Sequence, residues 1–124
     1  MPDPSIGAFA EALVRLVRDR AIRNCDARLK PGSRSPIGRH WQAALDGYDP
    51  MAIADMLIAD CVDEALFCLL NAIDEGGLRL TYVSPDGQSV DLCEGGRGEL
   101  AGWYMGAENW RDKFSDQRLN DYLT

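Results

Sequence analysis

DPMAIADMLIADCVDEALFCLLNAIDEGG, residues 49–77, decides the fold. Asp49 is a preferred N-cap, and Pro50 suits the first helical position, where its missing N–H costs nothing. No Gly or Pro interrupts the run until Gly76-Gly77. The spacing predicts a helix from Pro50 to about Glu75, with a glycine taking the left-handed position that ends it. Ala54, Ile58, Cys61, Val62, Ala65, Leu69, Ala72 and Ile73 recur at helical steps and are its expected buried face, widened by Leu57, Leu66 and Leu70.

A hairpin follows. Leu78–Val83 and Gln88–Cys93 both alternate, and Ser84-Pro85-Asp86-Gly87 between them is turn chemistry. If Val83 faces Ser89, then Tyr82 faces Val90 and Leu80 faces Leu92. That register gathers the large apolar residues on one face and Arg79, Thr81, Ser89 and Asp91 on the other. A two-stranded ribbon is marginal alone, so it must pack on helices.

Upstream, Ile6, Phe9, Leu13, Leu16, Val17, Ala21 and Cys25 predict a helix from Ile6 to about Leu29, capped by Ser5 and ended at Lys30-Pro31-Gly32. Ile37–Leu45 predicts a short helix carrying His40 and Trp41. Downstream, Glu94–Gly98 reads as a flexible connection and Glu99–Met105 as a short helix. The expected fold class is α+β, mainly helical, with two long helices and shorter ones packed on a small antiparallel β-hairpin.

The chain has 124 residues, the size of one domain, so residues 1–124 are expected to share one core. At 46% hydrophobic and 27% charged the composition is globular. The first apolar stretch, Ile6–Val17, contains Glu11 and Arg15, unlike a secretory leader. No segment approaches the roughly 18 apolar residues of a membrane span. The expected location is the cytoplasm. Cys25, Cys61, Cys68 and Cys93 form no CxxC pair, and His40 is the one histidine. Buried reduced thiols are expected, with no metal site and no cofactor.

The net charge of −7 is unevenly spread, +4 over residues 1–40 and −11 over residues 41–124. An acidic whole disfavours nucleic acid and anionic membranes as partners. On the long helix, Asp60, Asp63, Glu64, Phe67, Asn71 and Asp74 fall at steps of three and four, opposite the expected apolar stripe. They are the first candidate site, an acidic docking face for a basic protein. The competing reading is a solvated face partly paired with arginines of the first helix. Asp60 and Glu64, one turn apart, could share a cation, but the Glu-x-x-His partners of a di-metal bundle are missing.

The second candidate is aromatic. Trp103, Tyr104, Trp110, Phe114 and Tyr122 crowd the last 22 residues, and Trp and Tyr dominate binding hot spots. Against this, the same rings could close the core over the hairpin, leaving Trp110 the most exposed. Arg15, Arg18, Arg20, Arg23 and Arg28 could grip phosphate, but intramolecular pairing with the acidic helix is the stronger reading. The glycines of Glu94–Glu99 lack the Gly-Lys-Ser/Thr ending of a phosphate loop. His40 has no nucleophile elbow to serve.

Asp63-Glu64-Ala65-Leu66-Phe67 with Leu69-Leu70, then Ala72-Ile73-Asp74-Glu75-Gly76 and a hairpin, resembles small bacterial proteins of uncharacterised families. Gly98-Glu99-Leu100-Ala101-Gly102-Trp103-Tyr104-Met105-Gly106, followed by Trp110, extends the resemblance. Proteins of similar size, acidity and build include immunity proteins of polymorphic toxin systems, which neutralise a toxin by binding it. The expected function is therefore a non-catalytic, intracellular protein-binding module. Its specific form is an immunity-like inhibitor presenting Asp60, Asp63, Glu64, Phe67, Asn71, Asp74, Trp103 and Trp110 to a basic partner. The alternative is a small enzyme built around His40 and carboxylates. A third reading is a homo-oligomer held by the C-terminal aromatics.

Overall fold

The computed structural model describes residues 4–119, apart from the side chain of Ala107. Tyr122, counted above among the C-terminal aromatics, lies outside the described residues. The fold is mainly helical α+β. The first helical rod comprises α1 (Pro4–Ala12), a π-helical turn (Leu13–Arg18) and α2 (Asp19–Leu29). Then come α3 (Pro36–Ala44), α4 (Pro50–Asp74), β1 (Thr81–Val83), β2 (Ser89–Asp91), α5 (Leu92–Gly96), α6 (Leu100–Gly102), a second π turn (Trp103–Ala107) and α7 (Trp110–Phe114). No described helix is long and apolar enough to cross a membrane.

The punctuation of α4 follows the sequence. The Asp49 side chain accepts a hydrogen bond from the Met51 N–H at 3.0 Å, and Pro50 opens the helix. Gly76, at φ +81°, turns the chain out, and the Gly77 and Leu78 N–H groups both donate to the Ala72 carbonyl. The hairpin register is also the expected one, pairing Thr81 with Asp91, Tyr82 with Val90 and Val83 with Ser89. Gly87 takes φ +89° in the turn. The Asp91 side chain then caps α5 through the Glu94 N–H at 3.0 Å, so the segment expected as a flexible connection begins as a short helix.

The buried faces are rotated from expectation. Leu16 and Val17 were expected inside and are 55% and 47% exposed, while Arg18, Asp19 and Ile22 are buried. The π turn is the cause. A π turn closes its hydrogen bonds over one more residue than an α turn, so everything beyond it is rephased about the axis. Upstream, Ile6, Ala10 and Leu13 still face the core. On α4, Ala54, Ala59, Asp63, Leu66, Leu70 and Ile73 are buried. Cys61, Ala65 and Cys68, expected inside, are exposed. Cys25 and Cys93 are half-buried. Apolar residues nearly encircle α4, so periodicity fixed its helicity but not its phase.

The core joins Ile6, Leu13 and Val14 to Leu66, Leu70 and Ile73, and both to Leu92, Leu100, Trp103, Tyr104 and Trp110. Phe9 meets Tyr82 and Trp110 edge-on, at centroid distances of 5.7 and 6.3 Å. These contacts seat the hairpin and α7 against α1. Each fully buried aliphatic contributes about 1.5–3 kcal/mol.

Candidate functional site

Asp63 lies at the centre of the molecule, 4% exposed. Its carboxylate accepts from Arg18 Nε at 2.7 Å, from Arg111 Nη1 at 2.8 Å, and from the Tyr104 hydroxyl. Arg18 is fully buried. Nε and Nη2 bond Asp63, Nη1 bonds Asp19 and the Ser115 hydroxyl, and Nη2 also bonds the Arg118 carbonyl. All five guanidinium N–H groups are therefore committed. Asp19 in turn accepts from the Ser115 hydroxyl and the Asp116 N–H, and Arg111 Nη2 donates to the Met105 carbonyl. Two cations and two anions thus compensate one another out of water, the condition under which buried charge is tolerated. Both π turns serve this cluster. The first carries Arg18 and the second carries Tyr104.

The electrostatics follow from the geometry. Burial alone pushes the Asp63 carboxyl up, but Arg18, Tyr104 and Arg111 outweigh it and hold it below the usual carboxylate range. Burial and the bond to Asp63 both push the Tyr104 hydroxyl well above its ordinary value. The cluster is closed to substrate, and its hydrogen-bonding capacity is spent internally. It holds the fold rather than a ligand.

This arrangement corrects the expected acidic face. Asp63 is turned inward because two arginines neutralise it there. Asp74 accepts from the Leu100 and Ala101 N–H groups, each at 3.0 Å, and so anchors the start of α6. Phe67 is half-buried against the core. Trp103 and Trp110 are buried, their centroids 6.2 Å apart, so the C-terminal rings close the core and are not presented to a partner. Of the eight residues, Glu64 and Asn71 are exposed and Asp60 is half-buried. The first-helix arginines divide too. Arg18 pairs with the acidic helix, whereas Arg20, Arg23 and Arg28 make no ion pair among the described residues.

The surface feature missed from sequence is a groove of about 280 Å³ between α2, α3 and α4. Leu29 of α2 lines it, with Trp41 and Ala44 of α3, Leu45 just beyond, and Ile53, Leu57 and Ile58 of α4. Leu57 is exposed, and with Ile37, Tyr48, Met51 and Met56 in the same stretch of chain it makes up half of the large exposed hydrophobics of the described residues. Exposed apolar side chains gathered in one stretch mark an interaction surface, whereas scattered ones need no explanation. Ile53, Leu57, Asp60 and Glu64 follow steps of three and four, with Asn71 seven residues further on, so they share one face of α4. The available signal was Trp41 on the short helix and Met51 and Met56 at the start of α4.

His40 is exposed on α3 and does not line this groove. Among the described residues no three His, Cys, Asp or Glu side chains are placed to hold a metal ion. Comparison with protein-family models, with curated proteins and with solved structures gave no match.

Proposed function

We propose that this chain is a non-catalytic protein-binding module whose docking face is the α2–α3–α4 groove with its acidic ridge. The observation that carries this reading is the groove itself, lined wholly by apolar residues, of which Leu57 is exposed. Burying such a surface drives association, and a charged rim selects the partner. Asp60 and Glu64 on the α4 wall favour a partner surface with apolar anchors and basic flanks. The narrower reading, an immunity-like inhibitor of a basic toxin, draws support from the net charge of −11 over residues 41–124 and from the resemblance noted in the second half of the chain.

The test is site-specific photo-crosslinking in the source cells. A photoreactive residue at Leu57 should give a discrete protein adduct, while the same residue at exposed Asp112 on α7 should give none. No adduct from position 57 overturns the docking reading. For the toxin reading the adduct protein must be basic, and its unlinked complex must weaken as salt rises.

A further inference from the structure

Residues 115–118 follow α7 and lie against the first helical rod, and none of them belongs to the hydrophobic core. Polar bonds fasten them. The Ser115 hydroxyl accepts from Arg18 Nη1 at 2.8 Å and donates to Asp19 at 2.7 Å, and the Asp116 N–H donates to Asp19 at 2.9 Å. The Arg118 carbonyl accepts from Arg18 Nη2 at 2.7 Å. The Arg118 guanidinium grips Asp26 at 2.8 and 2.9 Å and reaches the Ala54 carbonyl at 3.1 Å. Its Nε is buried and finds no hydrogen-bond acceptor among the described residues, with Asp55 3.8 Å off. A segment with so few apolar contacts opens locally at low cost.

Arg18, Asp19 and Asp26, which take most of these bonds, stand on the rod at and beyond the first π turn. The rod has a second phase open to it. An unbroken α-helix would carry the face of Ile6, Ala10 and Leu13 on to Val17, Ala21 and Arg28, a turn of about 100° from the observed Arg18, Ile22 and Leu29. It would cover Val17, now 47% exposed, and hand Arg18 and Asp19 to water. Asp63 would keep Arg111 and Tyr104. The α phase forfeits the burial of Ile22 and Leu29. The π phase, however, holds two charges out of water, and stranding a buried charge without its partners costs more than burying an aliphatic side chain gains. Residues 115–118 supply those partners.

We propose that residues 115–118 are a releasable strap that locks the first rod in its π phase, and that its release lets α2 turn into the α phase. The consequence reaches the docking face. Leu29 lines the groove, and turning α2 puts Arg28 in its place, so strap and groove are coupled. The coupling rests on the docking reading above, whereas the change of phase does not.

The experiment is hydroxyl-radical footprinting of the full chain, read by mass spectrometry, with circular dichroism as the check on folding. In wild type Val17 should be labelled and Ile22 protected. Arg118→Glu with Ser115→Ala sets an acid against Asp26 and Asp55 and removes the shared hydroxyl, and should invert that ratio. Arg118→Ala alone is the milder change and should shift the ratio the same way. In a chain lacking Leu16 the extra residue of the π turn is gone, so the same double substitution should leave Val17 labelled and Ile22 protected. A ratio that keeps its wild-type value in the Arg118 variants, or equal labelling of Val17 and Ile22 in a folded variant, overturns the proposal. So does inversion in the chain lacking Leu16, because no second phase is then stored in the turn. The position-57 crosslink tests the coupling separately. Its yield should fall in the released variant, and a yield unchanged from wild type overturns the coupling while leaving the phase lock standing.

Discussion

Arg18 Nε lies 2.7 Å from Asp63 Oδ1, joining the first π turn to the middle of α4 across 45 residues with both side chains buried. This one pair sets the phase of both long helices. Arg18 turned inward forces Leu16 and Val17 outward, and Asp63 turned inward carries Leu66 and Leu70 with it.

Asp63→Asn should be among the most damaging single changes. It leaves Arg18 and Arg111 buried without their shared counter-ion, a loss of about 3–5 kcal/mol. Urea denaturation checks it. A loss under about 1 kcal/mol would mean that the cluster is solvated in the folded protein.

Stability should fall on the acid side. The folded-state value of Asp63 is depressed below that of the unfolded chain. Its contribution is therefore present above the unfolded carboxylate value of about 3.9 and lost as pH falls through the folded one. A denaturation series from neutrality to about pH 2 should show this drop in wild type, and a smaller drop in Asp63→Asn.

Tyr104→Phe removes one of the donors to Asp63 and keeps the ring. The expected cost is about 1.5 kcal/mol, at the low end for a bond to a charged group, because three guanidinium bonds remain. The Tyr104 hydroxyl titrates higher in the folded than in the unfolded chain, so its contribution is present below the unfolded value of about 10 and lost as pH rises through the folded one. The variant's stability should accordingly fall less between about pH 9 and 11 than that of wild type.

Asp74→Ala uncaps α6. The Leu100 and Ala101 N–H groups lose their acceptor, at a cost of about 1 kcal/mol. Hydrogen exchange at those two amides should accelerate more than at Ile73. Uniform acceleration would place the effect in global stability.

Deleting Leu16 should convert the first π turn into α-helix without moving either buried face, since the turn holds one residue more than an α turn needs. The variant should unfold cooperatively with a native-like spectrum. A molten product would show that the π geometry is itself required to place Arg18.

What the sequence disclosed was punctuation and pairing. Asp49-Pro50, Gly76 and the hairpin register were legible because caps, left-handed turns and two-residue alternation are local. Helix phase was not. It depends on whether Asp63 finds cations, and those come from Arg18 and Arg111, far off in the chain. A carboxylate on an otherwise apolar helix reads as solvent-facing until its partners are placed. The same ambiguity hid the groove, because Leu57 and Trp41 look like core residues in any window that contains them.

The Arg18 side chain also reaches the Arg118 carbonyl, a hundred positions along the chain. During synthesis the first helical rod emerges long before Ser115 and Arg118. Until then Arg18 and Asp19 lack the acceptors and donors that make their burial tolerable. The rod cannot settle against α4 in its final phase until Ser115 and Arg118 have been made, so closure of this fold waits for that late segment.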